Sequence, residues 1–174
     1  YLTWSLAHTR PERKKLDAPV ERGLAYLKAH LDEADDAYVL GYIGNAFAEA
    51  GADRGGDKAT LRKVLAKLAA LAVRDRDALY FPTKQRTVTY GGGDSATIEV
   101  TALALRAFMR GGEHLDLIKP GLNWLTGKKD AGGNWSTTQA TIQVLQAFIG
   151  SLSTTAEPVV GAVDSVTAFM RIAQ

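Results

Sequence analysis

The chain has 174 residues, of which 46% are hydrophobic and 23% charged; this is typical of one globular domain with its own core, and it excludes a largely disordered chain. Its 21 basic and 19 acidic residues leave a net charge of +2, so no strong field attracts nucleic acid or a membrane surface. Cysteine is absent, which excludes disulfides, thiolate nucleophiles and Cys-ligated zinc, and no apolar run is long enough for a membrane span.

Helical periodicity begins at the start of the chain. Residues 1–7 have the composition of the end of a buried helix, and Tyr1 stands where Met would begin a complete chain, so we expect a processed product or a piece of a longer protein. Over residues 20–31, apolar side chains recur at helical spacing with charged residues opposite, which predicts an amphipathic helix. Residues 35–50 are apolar nearly all round and precede Gly51, which predicts a buried helix with a glycine cap.

The same alternation continues along the chain. Residues 61–72 predict an amphipathic helix, and residues 95–110 predict a second nearly all-apolar helix that ends at two glycines. An amphipathic piece over residues 117–126 then precedes a third buried helix over residues 136–152. Between residues 75 and 93 the helical period is lost, and this segment is either a short hairpin or an ordered loop.

The turn before the last helix combines glycines, an aromatic residue and a helix start. Gly132 and Gly133 permit a sharp turn with positive φ, after which Trp135 can fold onto the neighbouring helices. Ser136 and Gln139 have the spacing of a capping box, in which the Ser hydroxyl accepts from the Gln139 N–H and the Gln side chain bonds back to the Ser136 N–H. The sequence therefore predicts Ser136 as the N-cap.

Pairs of an amphipathic helix and a buried helix form an internal repeat. Residues 101–108 match residues 141–148 in residue type along their whole length. Because each buried helix needs neighbouring pairs around it, the natural packing is a ring of inner helices inside a ring of outer helices. The predicted fold is therefore all-α: a partial α/α toroid over residues 1–152, with outer amphipathic and inner buried helices. Residues 153–174 are a C-terminal tail, either a last helix or a lead into a next domain.

Three segments resemble the thioester-containing domain of the α-2-macroglobulin and complement family. An inner helix begins with Ile98-Glu99-Val100-Thr101, an outer helix carries Asn123-Trp124-Leu125, and a Gly-Gly-aromatic-Ser-Thr-Gln-x-Thr turn follows with one extra small polar residue. The resemblance covers residues 1–150, is to the C-terminal part of that domain, and is closest in kind to bacterial members. The family signature, which we expect at the mouth of the toroid, comprises Tyr90, Glu99, Thr101, Trp124, Gly133, Trp135, Ser136 and Gln139.

The resemblance implies that this chain has a non-catalytic function. In the family a Cys-Gly-Glu-Gln motif forms an internal thioester that captures nucleophiles, and this chain has no cysteine. We therefore expect a non-catalytic fragment of an α-2-macroglobulin-like protein, an endopeptidase inhibitor that traps proteases, with no catalytic residue, cofactor or metal. The implied partners are target proteases and other domains of the parent chain, outside the cell or in the periplasm. We expect neither nucleic-acid binding nor membrane insertion, whereas the open edge of a partial ring favours self-association.

Other interpretations stay open. The acidic cluster at residues 32–36 resembles the aspartate motifs of terpene cyclases, which share the α/α toroid with prenyltransferases, although its spacing does not match and helix capping also explains it. The glycines at residues 91–93 precede a helix and could cradle an anion, but they lack the Lys and spacing of a P-loop. The alternative functions are thus an enzyme fragment of terpene cyclase or prenyltransferase type, or a standalone protein-interaction module.

Overall fold

A computed structural model describes residues 1–9, 17–51 and 57–154 of the chain. Each predicted helix is present, with ends shifted by a few residues, and the predicted tail lies outside the described residues beyond Thr154. The elements are α1 (Leu2–Thr9), α2 (Asp17–Ala29), α3 (Ala37–Ala50), α4 (Lys58–Ala70), β1 (Val73–Asp75), β2 (Ala78–Tyr80), α5 (Asp94–Gly111), α6 (Ile118–Gly127) and α7 (Thr138–Thr154).

The helices form two layers. The inner layer is a row in which α1 contacts α3, α3 contacts α5, and α5 contacts α7. The outer helices lie against this row: α2 packs on α1, α4 on α3, and α6 on α5. This alternation of inner and outer helices along the chain confirms the predicted all-α architecture of the α/α toroid type.

Helix α5 lies at the centre of the core. Every side chain from residue 98 to residue 108 is buried, because α3 and α7 flank the helix and α4 and α6 cover it. Small residues let the helices approach closely. A Cβ atom on Gly41 of α3 would lie 3.1 Å from Leu103, and one on Gly121 of α6 would lie 2.5 Å from Leu105. The apolar surface that the sequence shows around this helix is therefore covered on every side.

A buried amide connects the two central inner helices. Asn45 of α3 is fully buried, and its Nδ2 donates to the Leu103 carbonyl of α5 at 3.0 Å and to the Gly41 carbonyl at 2.8 Å. Its Oδ1 accepts from Arg110 at 3.4 Å. The polar atoms of Asn45 are thus bonded within an otherwise apolar contact, as burial of an amide requires.

Helix ends follow the capping rules that the sequence indicates. Asp36 is the N-cap of α3, and its carboxylate accepts from the Tyr38 N–H at 2.8 Å. Gly51 ends the same helix with a φ of 69°, and Gly112 ends α5 in the left-handed conformation. The glycine caps predicted for the first two buried helices are therefore confirmed.

The predicted capping box before α7 is wrong by one residue. Thr137, rather than Ser136, is the N-cap: its Oγ1 accepts from the Ala140 N–H at 3.1 Å, and α7 begins at Thr138. Ser136 instead has a φ of 60°, a left-handed conformation that turns the chain between Trp135 and the helix. This turn lets the Trp135 N–H donate to Thr141 Oγ1 at 3.0 Å, which displaces the cap to the next hydroxyl residue.

The segment in which the helical period is lost, residues 75–93, was predicted to be either a hairpin or an ordered loop, and the structure contains both. Strands β1 and β2 form an antiparallel hairpin in which Val73 pairs with Tyr80, and residues 81–93 then form an ordered loop. Side chains of the inner helices α5 and α3 hold this loop. The Phe81 N–H donates to Thr101 Oγ1 at 3.0 Å, and the Val88 N–H donates to the Tyr38 hydroxyl at 2.7 Å.

Candidate functional site

The inner helices and the loop 81–93 enclose a cleft of about 560 Å³. This volume lies within the range of small-ligand sites, roughly 300–1,000 Å³. All four inner helices contribute to its lining, which is polar along α5 and α7 and aromatic along α1 and α3. Its residues are Tyr1, Trp4, Ser5, His8, Tyr42, Val88, Thr89, Glu99, Arg106, Met109, Arg110, Gln139, Gln143, Gln146, Ile149 and Gly150.

A buried arginine lies at the side of the cleft formed by α5. Arg106 is 7% exposed, its guanidinium lies 5.2 Å from the centre of the Trp4 ring, and it donates to Gln143 Oε1. Burial lowers the pKa of Arg106 to about 10, and the neighbouring Arg110 charge acts in the same direction. The guanidinium still carries its charge at neutral pH.

The second arginine of the cleft has a carboxylate partner. Arg110 Nη1 lies 2.8 Å from Glu49 Oε2, while His8 Nδ1 lies 3.2 Å from the other oxygen of the same carboxylate. Glu49 is therefore shared between α5 and α1, and it connects these helices at the end of the cleft where α3 finishes. Its charge is committed to Arg110.

A buried carboxyl group lies at the opposite end, near the N-terminus of α5. Glu99 is 2% exposed, and its Oε2 accepts from Thr89 Oγ1 at 3.1 Å. Burial raises the pKa of Glu99, against the opposing effect of hydrogen bonds from Thr87 and Thr89. Loop and helix are thus joined by a carboxyl group whose charged form is disfavoured.

Tyr42 of α3 completes this end of the cleft and packs against Tyr38, which lies outside the lining. Tyr38 and Tyr42 meet edge to face, with ring centres 4.9 Å apart. Burial raises the pKa of Tyr42, with the hydrogen bond to Tyr38 as the next cause, so the Tyr42 hydroxyl keeps its proton. The Tyr38 hydroxyl also accepts from the loop at Val88, as described above.

The structure brings two of the predicted signature residues into the cleft. Glu99 lies there as described, and Gln139 lies in the first turn of α7. Tyr90 is on the loop beside the cleft, where its side chain is 85% exposed and its φ is 63°. A positive φ on a bulky residue is unusual.

The other five signature residues have structural contacts outside the cleft. Thr101 accepts from the loop at Phe81, and Trp124 of α6 stacks on Tyr80 with ring centres 5.1 Å apart. Gly133, with a φ of 84°, and Ser136 form the turn before α7. Trp135 is 2% exposed and its Nε1 donates to the Leu125 carbonyl at 2.6 Å, which fastens the turn to α6.

Four polar residues of the cleft, Arg106, Arg110, Gln143 and Gln146, were missed at the level of sequence, whereas Gln139 belongs to the predicted signature. Arg106 and Arg110 are four residues apart in a helix that otherwise reads as apolar, and Gln139, Gln143 and Gln146 recur at helical spacing in α7. Both patterns put polar side chains on one face of an inner helix. A polar face on each of these inner helices was therefore the sequence feature from which the cleft could have been predicted.

The acidic cluster and the glycine run have local structural partners. Asp32 lies 2.7 Å from Lys63 Nζ, an interaction that lowers the pKa of its carboxyl group, and Asp36 caps α3 and accepts from Thr83. No group of three potential metal ligands occurs within the described ranges 1–9, 17–51 and 57–154. Asp94 stands in the first turn after the glycines, where it complements the helix dipole.

No helix in the described part of the chain is long and apolar enough to cross a bilayer. A comparison with curated proteins finds no significant match to the chain. A comparison with protein families finds the A-macroglobulin TED domain, which matches residues 1–150. This match spans the whole inner row as far as α7 and agrees with the thioester-domain resemblance and the toroid architecture. The chain belongs to the A-macroglobulin TED domain family.

Proposed function

We propose that this chain is a non-catalytic part of an α-2-macroglobulin-like protein that traps proteases. The observation that carries the proposal is the family match over residues 1–150 in a chain that has no cysteine. Domains of this family act with other proteins or with other domains of a parent chain, and they are typically extracellular. We therefore propose a secreted or periplasmic location, with protease contacts made in the context of the parent.

The chemistry of the chain supports a scaffolding role. The family's thioester joins a thiol to a glutamine amide, and a chain of 174 residues without cysteine cannot supply that thiol. Polar side chains near the loop 81–93 hold structure instead: Thr101 and Glu99 bond the loop, and Asp36 caps α3. The inner row would thus support the surface that the parent protein presents.

Incubation with isotope-labelled methylamine tests the absence of thioester chemistry. We expect no incorporation into this chain, because no activated acyl group is available to the amine. Intact mass spectrometry measures the result, with a family member that has an intact thioester treated in parallel as the positive control. A mass increase on this chain would overturn the non-catalytic assignment.

Protease trapping is tested on the parent protein. A trapped protease cleaves small chromogenic peptides but not a large protein substrate, since enclosure excludes only the large one. We expect removal of residues 1–150 from the parent to abolish this protection. The isolated chain should leave both cleavage rates unchanged; loss of small-peptide cleavage would instead indicate a direct active-site inhibitor. The sequence of the parent protein upstream of this chain gives a separate test. Aspartate-rich repeats there, in place of a Cys-Gly-Glu-Gln motif, would contradict the proposal and favour a cyclase-type enzyme.

A further inference from the structure

The cleft contains a buried positive charge without a carboxylate partner. Among the residues that the structure describes, no carboxylate lies in ion-pair contact with Arg106. The Glu49 charge raises the pKa of Arg106 from a distance, but this carboxylate is in contact with Arg110 and His8. The charged form of Glu99 is disfavoured by burial. A buried guanidinium normally has a bonded anion, because removing a charge from water is costly. Arg106 therefore has capacity for an anionic ligand.

A second unusual polar group, a buried donor that lacks an acceptor, belongs to the residue beneath Arg106. The indole Nε1 of Trp4 is buried, and no acceptor for it exists in the described part of the chain. A buried donor without an acceptor is rare in folded proteins and costs roughly 1–3 kcal/mol. Trp4 is also the residue whose ring lies beneath the Arg106 guanidinium. An unmatched charge and an unmatched donor thus belong to one pair of residues in contact, Arg106 and Trp4, at the wall of the cleft.

The third wall of the cleft adds neutral donors. Gln139, Gln143 and Gln146 line it from α7, and each carries an amide with two donor hydrogens. The oxygen of Gln143 already accepts from Arg106, so this side chain holds the guanidinium while its nitrogen stays a donor.

We propose that the cleft binds a peptide carboxylate, held by Arg106 and by the amide donor of Gln143. A carboxylate is planar and can accept two parallel hydrogen bonds from one guanidinium. The cleft volume of about 560 Å³ admits a side chain with part of its backbone, and Trp4, Met109 and Ile149 offer apolar surface to that backbone. This site is independent of the protease-trapping role proposed above.

A nucleic acid fits the cleft less well than a peptide does. Binding to a phosphate backbone needs several Lys or Arg contacts in a row, whereas Arg106 is the cleft's arginine without a carboxylate partner in the described ranges. The chain's net charge of +2 provides no extended basic surface. A single buried guanidinium with neutral amides is better matched to one carboxylate.

Two pairs of short peptides on the full chain test the proposal. One pair is blocked at both ends and differs only in an internal Glu or Gln; the other has no acidic side chain and ends in a free carboxylate or an amide. The readout is the indole N–H signal of Trp4 in NMR spectra, assigned with Trp4→Phe. We expect saturable shifts with the carboxylate member of at least one pair, and the responding pair identifies the side chain or the terminus as the source.

Variants connect the binding to the named residues. Arg106→Gln should weaken the carboxylate peptide roughly tenfold to a hundredfold, as expected for loss of a charge-assisted hydrogen bond. Lys128→Gln is the matched control, because Lys128 also lies over an indole ring, that of Trp124 at 5.1 Å, but outside the cleft. It should leave the affinity unchanged. Trp4→Phe keeps an aromatic side chain but replaces the indole on which the Arg106 guanidinium lies. Calorimetry should show several-fold weaker binding, which tests the site even if Arg106→Gln fails to fold.

Three outcomes would overturn the proposal. Equal binding of the Glu and Gln peptides and of the two terminal forms would show that the carboxylate is not recognised. Unchanged affinity in both Arg106→Gln and Trp4→Phe would place the binding elsewhere. Inorganic phosphate that shifts the Trp4 signal at tenfold lower concentration than any peptide would assign the cleft to a small oxyanion instead.

Discussion

At the scale of single residues, Glu99 shows how position in the fold changes a side chain. Its carboxyl group lies in the second turn of the buried helix α5, and it bonds a threonine of the loop 81–93. Burial raises its pKa, which means that the folded chain binds a proton more tightly than the unfolded chain does. The same group therefore fastens the loop and makes the stability of the protein depend on pH.

The sign of that dependence gives a prediction. A raised folded-state pKa contributes stability below the ordinary carboxyl value, and this stability is lost as the pH rises through the raised pKa. Glu99→Gln keeps the acceptor for Thr89 but cannot ionise, so its unfolding free energy should decline less than that of the wild type as the pH rises. Urea unfolding from pH about 4 to about 8 measures this. The exposed change Glu21→Gln is the control, and parallel curves for Glu99→Gln and the wild type would contradict the prediction.

At the scale of elements, the contact between α3 and α5 depends on one buried amide. Asn45→Ala removes the hydrogen bond to the Leu103 carbonyl across this contact and leaves a small cavity. We expect a loss of about 1–3 kcal/mol in the free energy of unfolding. Asn123→Ala, on the exposed face of α6, should change it by less than about 0.5 kcal/mol. Urea unfolding of both variants measures the difference, and equal stabilities would show that the amide adds nothing to this contact.

The helices themselves could be predicted from the sequence because their apolar periodicity persists over several turns. The division into inner and outer helices could also be predicted. A helix that is apolar all round is buried, whereas a helix that is apolar on one face lies at the surface. The cap of α7 was missed because Ser136 and Thr137 are both capable N-caps, and the choice depends on a positive φ that Trp135 imposes through its burial. A backbone conformation that depends on tertiary packing cannot be predicted from a local sequence pattern.

At the scale of the whole molecule, the cleft escaped prediction for a related reason. Arg106 contacts Trp4 from the first helix and Gln143 from the last, and only the arrangement of the inner row brings these side chains together. The family signature predicted the architecture but did not locate the cleft, because most of the signature residues hold turns and loops in place. Thr101 and Trp135 are examples: each bonds a backbone group of a neighbouring segment.

The last inner helix exposes an apolar stripe, from which we predict self-association. Ile142, Ile149 and Leu152 of α7 are 41%, 55% and 40% exposed, and they recur with Leu145 at the spacing of a helix-packing face. Tyr1 and Leu2, at the other end of the inner row, are also exposed. Apolar surface of this kind favours association or binds an apolar dye. The isolated chain should therefore show a sedimentation coefficient that rises with concentration, or enhanced fluorescence of such a dye.

The double change Ile142→Lys and Ile149→Lys should abolish both signals, because two charges on the stripe cannot be buried against a second copy. Val73→Lys is the matched control: Val73 is 38% exposed on β1, far along the chain from α7, and its replacement should leave both signals intact. A wild-type chain that sediments as a monomer at all concentrations and binds no dye would contradict the open-edge interpretation. Both variants add lysine. Equal loss of association in both would therefore show that the effect comes from net charge and not from the α7 stripe.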